Sequence, residues 1–401
     1  MRDVFVAGVG MTKFGKFLEV GIKRLADEAV SGALQDAGAE VGQLEAVYGG
    51  NAVAGLITGQ EMIRMQVALR PLGVEGIPVF NVENACASSA SAFHLAWQSV
   101  AYGIHDVVLA VGVEKMTHPD KQVSFDAVGT AVDLELQAEM AAALGAEPNA
   151  SKSFFMDIYA GMTKSYMERS GATQADMAAV VVKAHRHAKG NPRAQYRNEV
   201  SLEQVLESRE ISWPLTLLMC SPIGDGGAAT VLASQDGLER LVDRAGRPRV
   251  KVLASVIRSG SGIASGRPKS AVATAQAAYE VAGLGPDDLD CAEIHDATAP
   301  AELFIYEDLG LAAAGAAAGL LASGATTLGG RLPVNTSGGL LCKGHPIGAT
   351  GIAQIAEVTW QLRGEAAGRQ VEGARIALTQ NGGGWLDEDS AAMAVHLFGK
   401  A

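Results

Sequence analysis

The 401-residue chain is poor in cysteine, in aromatic residues and in long runs of basic residues. Its four cysteines, Cys86, Cys220, Cys291 and Cys342, lie far apart and have no C-x-x-C spacing, which argues against a disulfide framework or a zinc site. The net charge is −12, and no long basic run marks a nucleic-acid-binding surface. We therefore expect no metal site and no nucleic-acid partner.

Uninterrupted apolar segments are also missing. No apolar run reaches about 18 residues, the length that predicts a membrane-spanning helix. The N-terminus, MRDVFVAG, begins a strand at once and has no signal-peptide core. We expect a cytoplasmic protein that makes no membrane contact. The abundance of glycine and a hydrophobic content of 48% favour a densely packed α/β enzyme, and the length favours two domains or two fused halves.

An internal repeat supports two fused halves. A predicted helix ending at Gly38 precedes a strand that starts near Leu44, and another ending at Gly283 precedes one that starts near Leu289. Both pairs are 245 positions apart. Residues 79–114 and 333–381 share a second pattern of strand, small-residue turn, helix and strand. The repeats predict two similar α/β halves packed as one unit.

The boundaries of these halves follow from a stretch that does not fit the repeat. Residues 119–217 are rich in charged residues, Tyr and Met, and are interpreted as an insertion that lines the active site. The first half then comprises residues 1–118 plus 218–248, and the second half comprises residues 249–401.

One cysteine lies in a run typical of a nucleophile. Cys86 belongs to NVENACASSASA, and the following residues 87–102 predict a buried helix rich in Ala and Ser. At a helix N-terminus, unpaired N–H groups and the helix dipole favour a thiolate. Small neighbours leave room for a substrate beside the sulfur. An inert buried cysteine is the alternative on local sequence alone.

Three further motifs carry polar groups at predicted strand ends. His345 lies between Gly344 and Pro346 in NTSGGLLCKGHPIGATG, just before a predicted helix at 350–363. His295 lies in EIHDATAPAE, where a histidine hydrogen-bonded to a nearby carbonyl is the alternative. The run TQNGGG at 379–384 exposes backbone N–H donors. The repeat places these motifs and Cys86 around one crevice.

Together these motifs resemble the thiolase superfamily. The elements are Asn-x-Cys-x-Ser-Ser, His-Asp-Ala-Thr, Gly-Gly-Leu-x-x-x-Gly-His-Pro-x-Gly-Ala-Thr-Gly and a late Gly-Gly-Gly, and the match runs the length of the chain. It is most similar to the sterol-carrier-protein-type and archaeal-type thiolases. The resemblance implies a thiolase fold, in which two βαβαβαββ halves pack as a five-layered αβαβα unit with a loop-domain insertion. It also implies a homodimer or dimer of dimers, coenzyme A as a substrate and no bound cofactor.

The resemblance assigns roles residue by residue. Cys86 resembles the acyl-accepting nucleophile and His345 the base that takes its proton. The backbone N–H groups of Cys86 and Gly382 resemble an oxyanion hole. His295 resembles the residue that, with His345, polarises the thioester carbonyl of the second substrate.

The anionic CoA substrate requires cations. Lys183, Arg186, Lys189 and Arg193 in the insertion are candidates to bind it, with a solvated charged helix as the alternative interpretation.

The chain departs from the family at the second catalytic cysteine. The two positions at which thiolases carry that acid/base are occupied by Gln380 and Ala297. The leading hypothesis remains cleavage of a 3-oxoacyl-CoA by CoA through an acyl-Cys86 intermediate. The alternatives are acyl transfer to a non-CoA acceptor and a thiolase-like subunit that pairs with a small OB-fold, zinc-ribbon protein.

Only the insertion indicates which type of acyl group the substrate carries. It contains a cluster of large apolar residues that would cover an aromatic or branched acyl group, or would form the insertion's own core instead. These residues are Phe154, Phe155, Met156, Tyr159 and Met162.

Overall fold

The computed structural model describes residues 1–143, 152–242, 246–262 and 265–401. The strands are β1 (Phe5–Met11), β2 (Ala46–Gly50), β3 (Val79–Val82), β4 (Val107–Glu114), β5 (Glu210–Ser212), β6 (Leu215–Thr216), β7 (Gly226–Ala233), β8 (Val250–Ser259), β9 (Cys291–Glu293), β10 (Ile376–Gly383) and β11 (Ala392–Lys400). The helices are α1 (Ile22–Ala37), α2 (Ala54–Thr58), α3 (Arg64–Leu69), α4 (Ser88–Ala101), α5 (Lys121–Gly129), α6 (Gln137–Ala143), α7 (Phe155–Ser170), α8 (Gln174–Lys189), α9 (Leu202–Leu206), α10 (Gln235–Glu239), α11 (Ser270–Ala282), α12 (Ala299–Asp308), α13 (Ala317–Ala322), α14 (Gly339–Cys342) and α15 (Thr350–Arg363).

Nine strands form one continuous mixed sheet in the order β3-β2-β4-β7-β1-β8-β11-β10-β9. The first five belong to the N-terminal half and the last four to the C-terminal half. The halves meet where β1 pairs antiparallel with β8, through Phe5 with Lys251 and Val6 with Val250. The strand pairs on each side of this junction, β1 with β7 and β8 with β11, are also antiparallel. By contrast, β2 is parallel to both β3 and β4, and β9 is parallel to β10.

Helices α4 and α15 lie between the two halves of the sheet. Every residue of α15 is buried, and this helix packs on both β10 and β7. Along β4, Val108 and Ala110 pack with α4, whereas Val107 and Leu109 pack with α1 on the opposite face. Helix α11 covers the other face of β8 and β11. The layers therefore follow the predicted αβαβα order, and both faces of each half-sheet are buried.

The internal repeat is present in the backbone. Helices α1 and α11 each end at a left-handed glycine, Gly38 with φ 65° and Gly283 with φ 66°. A second correspondence relates the 3₁₀ turn Ala85–Ala87 and α4 to the 3₁₀ turn Ile347–Ala349 and α15. Turn and helix begin and end 262 positions apart, so the predicted repeat is confirmed at the level of whole elements.

The predicted insertion folds as helices α5 to α9 and the β5–β6 hairpin. Helix α8 packs on α12, α13 and α14 of the C-terminal half, which ties the insertion to that half. Residues 144–151 of the insertion, 243–245 of the first predicted half and 263–264 of the second lie outside the described residues. Among the described helices, none is long and apolar enough to cross a membrane.

Candidate active site

A cavity of about 910 Å³ brings the three predicted chemical groups together, since Cys86, His295 and His345 all line it. The Cys86 sulfur and one ring nitrogen of each histidine lie within 4.8 Å of one another. The two imidazole rings meet edge to face, with centroids 5.0 Å apart and planes at 87°. One sulfur and two imidazole nitrogens at this spacing could also hold a soft metal ion. The crevice predicted from the repeat therefore exists.

The turn that carries Cys86 is sharp and strained. The 3₁₀ turn Ala85–Ala87 joins β3 to α4, and Ala85 adopts a left-handed φ of 47°. This conformation is costly for an L-residue other than glycine and is concentrated at functional sites. A glycine is needed opposite the turn, because a Cβ on Gly383 would lie 2.1 Å from the Asn84 carbonyl oxygen. Strand β10 can therefore approach the nucleophile turn closely.

The expectation of a resting thiolate is wrong. Cys86 lies one 3₁₀ turn before α4, and burial, together with the Glu114 carboxylate, raises the pKa of its thiol to about 12. The backbone N–H groups of Cys86 and Gly384 act in the opposite direction but do not outweigh these effects. The thiol is protonated at neutral pH, so a base must remove its proton during the reaction.

His345 is oriented as such a base. Its Nδ1 lies 2.7 Å from the Thr350 hydroxyl, and that hydroxyl donates its own proton to the Pro346 carbonyl oxygen at 3.1 Å. Nδ1 therefore carries the ring proton and donates it to Thr350, which leaves the Nε2 lone pair free. Burial and the neighbouring His295 lower the pKa of His345 well below 6.5, so the ring is neutral.

His295 is held in the opposite tautomer. The Asn381 side-chain N–H donates to His295 Nδ1 at 2.8 Å, so the ring proton resides on Nε2. The Gln380 side-chain oxygen accepts the His295 backbone N–H at 2.9 Å and fixes the strand end. Burial lowers the pKa of His295 to about 4. The site thus presents one imidazole acceptor and one imidazole donor, both uncharged at rest.

Sequence reasoning missed a buried carboxylate that holds the turn after His345 in place. Glu114, at the end of β4, is fully buried. Its carboxylate accepts the backbone N–H groups of Ala52, Val53, Ala54 and Gly348 at 2.9–3.2 Å. Burial raises its pKa to about 7 despite these donors. Because Gly348 belongs to the turn that follows His345, this carboxylate ties that turn to the start of α2.

The Gly-rich segment at 379–384 lies against the same cavity. Gly382, Gly383 and Gly384 all line it, and the N–H of Gly384 is directed toward the Cys86 sulfur. Sequence reasoning singled out Gly382 for the oxyanion hole and did not consider Gly384. The assignment of Gly382 stays a prediction.

The structure does not bring the four predicted CoA-binding cations to the cavity. Lys183 is buried in an ion pair with Glu302, so the prediction that it binds CoA is wrong. Arg193 stacks on the Trp360 ring and donates to the Met11 carbonyl oxygen. Lys189 pairs with Glu199 on the surface, and Arg186 is exposed elsewhere on α8.

Other cations line the cavity instead. Lys16, Lys121, Arg209 and Lys269 are exposed there, and within the described residues none of their side chains makes a hydrogen bond or an ion pair within 4 Å. They lie in four separate stretches of the chain, so no local sequence motif predicts that these cations share one cavity.

Four of the five apolar residues singled out in the insertion line the cavity, namely Phe155, Met156, Tyr159 and Met162. Phe154 does not. Gln380 and Ala297, at the positions of the missing second cysteine, also line it. Cys220 reaches the lining too, but its thiol donates to the Thr216 carbonyl oxygen at 3.4 Å.

Comparison with known families decides which chemistry this site belongs to. The model of the thiolase N-terminal domain matches residues 4–210, and that of the thiolase C-terminal-like domain matches residues 261–395. The chain belongs to the thiolase family. It is therefore an acyltransferase of the thiolase type, and Cys86 and His345 lie in the two halves of a thiolase.

Curated thiolase relatives align along the whole chain. It is 41% identical to an acetyl-CoA acetyltransferase of Methanothermobacter thermautotrophicus, covering 100% of both proteins. It is 38% identical to the benzoylsuccinyl-CoA thiolase subunit BbsB of Thauera aromatica, covering 96% of this chain and 95% of that one. Human sterol carrier protein 2 is also 38% identical, over 95% of this chain and 70% of its own.

Solved structures show the same architecture. The Ltp2-ChsH2(DUF35) aldolase has a TM-score of 0.80 at 26% identity, covering 99% of this chain and 98% of its own. Human mitochondrial 3-ketoacyl-CoA thiolase in complex with CoA has a TM-score of 0.72 at 16% identity, covering 100% of this chain and 98% of its own. The predicted thiolase fold is confirmed.

Proposed function

We propose that this thiolase cleaves a 3-oxoacyl-CoA with coenzyme A through an acyl-Cys86 intermediate. The observation that carries the proposal is the placement of the Cys86 thiol beside His345, whose Nε2 is left unprotonated by its bond to Thr350. The full-length similarity to an acetyl-CoA acetyltransferase supports CoA as the acyl carrier.

The first step joins proton transfer to nucleophilic attack. The thiol is a weak acid and His345 a weak base in this buried site, so an ion pair is unfavourable before substrate binds. As the sulfur attacks C3 of the substrate, Nε2 of His345 takes the thiol proton, and negative charge moves to the C3 oxygen. The N–H groups of Cys86 and Gly382 would stabilise that oxyanion, each contributing roughly 3 kcal/mol.

The second step breaks the bond between C2 and C3. The departing fragment is the enolate of acetyl-CoA, whose thioester oxygen carries the charge. His295 donates from Nε2, because Asn381 occupies its Nδ1, and His345 is now protonated. Two imidazole donors therefore face the enolate oxygen, and CoA then attacks the acyl thioester on Cys86.

CoA is proposed to bind through the four unpaired cations of the cavity, Lys16, Lys121, Arg209 and Lys269. These exposed side chains can reach the phosphates of CoA without breaking an existing ion pair. They replace the set predicted from sequence. Changing Arg209 to Gln should raise the KM for CoA and leave the maximal rate unchanged, since the contact is equal in the ground and transition states.

The acyl group is proposed to be aromatic or branched. Phe155, Met156 and Met162 of the insertion and Phe304 of α12 provide an apolar wall around the nucleophile. The relative BbsB is named for a benzoylsuccinyl-CoA substrate, which supports an aromatic acyl group here. A panel of straight, branched and aryl 3-oxoacyl-CoAs should show the highest kcat/KM for a branched or aryl substrate.

Mass spectrometry of the intact protein tests the proposal directly. Incubation with acyl-CoA should add one acyl group, and peptide mapping should place it on Cys86. The adduct should be absent from Cys86→Ala and should disappear from wild type when CoA is added. A protein that forms no adduct with any member of the panel would contradict the proposed function. An adduct that CoA does not discharge would favour transfer to a non-CoA acceptor.

A complex with a second protein is the other candidate arrangement. Gln380 and Ala297 leave the two positions of the family's second cysteine without a thiol, and two similar proteins are named as a subunit or as part of a two-protein complex. The partner would be a small OB-fold, zinc-ribbon protein bound to a homodimer of this chain. Light scattering of the purified chain and its co-purification from the source cells test both points, and full turnover by the chain alone would exclude a required partner.

A further inference from the structure

Thiolytic cleavage leaves a carbanion equivalent at C2 of the departing acetyl-CoA, and that carbon must receive a proton. Gln380 cannot provide it, because a side-chain amide is not an acid in this range. Both ends of Gln380 are also engaged: its N–H donates to the Met393 sulfur at 3.1 Å, and its oxygen accepts from His295. Ala297 has no exchangeable side-chain proton. The reaction therefore needs an acid from elsewhere in the cavity.

Three other proton-bearing groups of the cavity are engaged elsewhere. The Cys220 thiol donates to the Thr216 carbonyl oxygen. The Asp389 carboxylate accepts both the backbone N–H and the hydroxyl of Ser270, at 2.8 and 2.6 Å. His295 is needed at the thioester oxygen rather than at C2.

Tyr159 differs from these groups. It lies in α7, lines the cavity with Cys86 and His295, and its hydroxyl has no hydrogen-bond partner among the described residues. Burial raises its pKa, and the negative forms of Cys86 and Asp296 add to the effect, which places the phenol within electrostatic reach of the nucleophile. The ring is therefore a protonated donor on the wall of the cavity that also contains the Cys86 sulfur.

We propose that Tyr159 is the catalytic acid that protonates C2 of the departing enolate, taking the place of the second cysteine of other thiolases. The inference rests on the proposed function. When the bond between C2 and C3 breaks, its electron pair goes to C2, and the Tyr159 O–H proton is transferred to that carbon. Acetyl-CoA leaves, and Tyr159 remains as a phenolate.

The second half-reaction restores the phenol. The Tyr159 phenolate takes the proton of the incoming CoA thiol, and the CoA thiolate attacks the acyl carbonyl on Cys86. The Cys86 sulfur leaves and regains its proton from His345. The CoA thiol proton replaces the one that Tyr159 gave to acetyl-CoA. All three side chains regain their starting protonation states, and no oxidant or reductant is required.

Tyr159→Phe tests the proposal with little structural disturbance, since the hydroxyl it removes has no partner in the part of the chain that the structure describes. General acid catalysis typically contributes about 10²–10⁴-fold, so kcat for 3-oxoacyl-CoA cleavage should fall by at least about 100-fold. Acylation of Cys86 by a simple acyl-CoA expels a thiolate instead of a carbanion, and this adduct should still form. Tyr196→Phe is the matched control, because Tyr196 also lines the cavity, and it should keep wild-type kcat.

Hydrogen exchange at C2 separates a catalytic from a packing role. Wild type should exchange the methyl protons of acetyl-CoA with D₂O, and Tyr159→Phe should not. Adding Ala297→Cys to Tyr159→Phe should restore part of both activities by supplying a thiol near the same carbon. Tyr159→Phe with near-wild-type cleavage and exchange would overturn the assignment of Tyr159 alone. Absence of any Cys86 adduct in wild type would overturn the proposed function and this inference together.

Discussion

The two catalytic turns are structural equivalents with different chemistry. In the N-terminal half the turn Ala85–Ala87 precedes α4, and in the C-terminal half the turn Ile347–Ala349 precedes α15. At the 262-residue offset, the nucleophile Cys86 corresponds to Gly348, and the base His345 corresponds to Glu83. Each half therefore supplies one of the two groups. The equivalent position in the other half holds a residue with a different role, Gly348 opposite Cys86 and Glu83 opposite His345.

The hydrogen bonding of the two turns differs because the Asn84 backbone N–H has no counterpart at Pro346. In the first half, the Ser88 hydroxyl accepts the Asn84 N–H at 3.0 Å and donates to the Ala85 carbonyl oxygen. The equivalent residues in the second half are Thr350 and Pro346, and proline has no N–H to donate. The Thr350 hydroxyl is consequently left to accept the His345 Nδ1 proton at 2.7 Å. The proline thus helps to set the tautomer of the catalytic base.

The largest expected contrast comes from placing alanine at the two equivalent positions. Cys86→Ala removes the nucleophile and should lower cleavage by about 10⁴-fold or more with the fold intact. Gly348→Ala should destabilise the protein by about 1–3 kcal/mol, because its Cβ would lie 2.6 Å from a Glu114 carboxylate oxygen and 3.0 Å from the Asn51 Cα. Thermal melts and cleavage assays of both variants measure the contrast.

The reverse outcome would break the comparison. If Gly348→Ala melted like wild type, the turn after His345 would not depend on its contact with Glu114. If Cys86→Ala lost stability as well as activity, its loss of activity could not be assigned to chemistry.

The next contrast concerns the base. His345→Asn should lower kcat/KM by about 10²–10⁴-fold, the usual contribution of a general base. Its positional equivalent Glu83 is exposed, and its carboxylate accepts the Ala85 N–H at 2.5 Å. Glu83→Gln keeps that acceptor and should stay within about threefold of wild type. Steady-state kinetics of the two variants test whether His345 is the base and Glu83 has no catalytic role.

The sequence indicated the proposed nucleophile and base but not the groups that hold them. Cys86 and His345 were identifiable because each lies in a dense run of small residues between a strand and a helix. The role of Glu114 was not, because nothing beside it indicates that four N–H groups from two distant turns converge on its carboxylate. Burial of the thiol, followed by the charge of this carboxylate, opposes the thiolate that the local helix terminus alone had indicated.

The CoA-binding residues show the same limit. Lys183 has a charged side chain on a helix with other cations, which suggested an exposed face. Its side chain instead lies on the buried face of α8 and pairs with Glu302 of α12. Which face of a helix is buried depends on what packs against it, and here the partner is 119 residues away.

A smaller effect is expected from the hydroxyl that orients His345. Thr350→Val removes the acceptor of the Nδ1 proton and leaves a buried donor without a partner. A lost hydrogen bond of about 1 kcal/mol corresponds to about a fivefold lower kcat. Thr350→Ser keeps the hydroxyl and should retain wild-type kcat. Equal losses in both variants would show that the methyl group packs the helix and that the hydroxyl does not set the tautomer.

The smallest expected effect is the change of rate with pH. His345 acts as a base only when neutral, and its pKa lies well below 6.5, so this activity is lost only as pH falls through that lowered value. The kcat/KM should therefore stay level from pH 8 down to 6.5. The stability of the fold changes with pH in the same direction as the activity. A histidine whose pKa is lower in the folded protein than in the unfolded chain stabilises the fold above the unfolded pKa of 6.5. This contribution is lost as pH falls toward about 4, the folded pKa of His295. Melting curves on the assayed samples distinguish the two losses. A fall in kcat/KM near pH 6.5 in a fully folded sample would contradict this prediction. It would mean that His345 is more exposed to solvent than its buried position indicates.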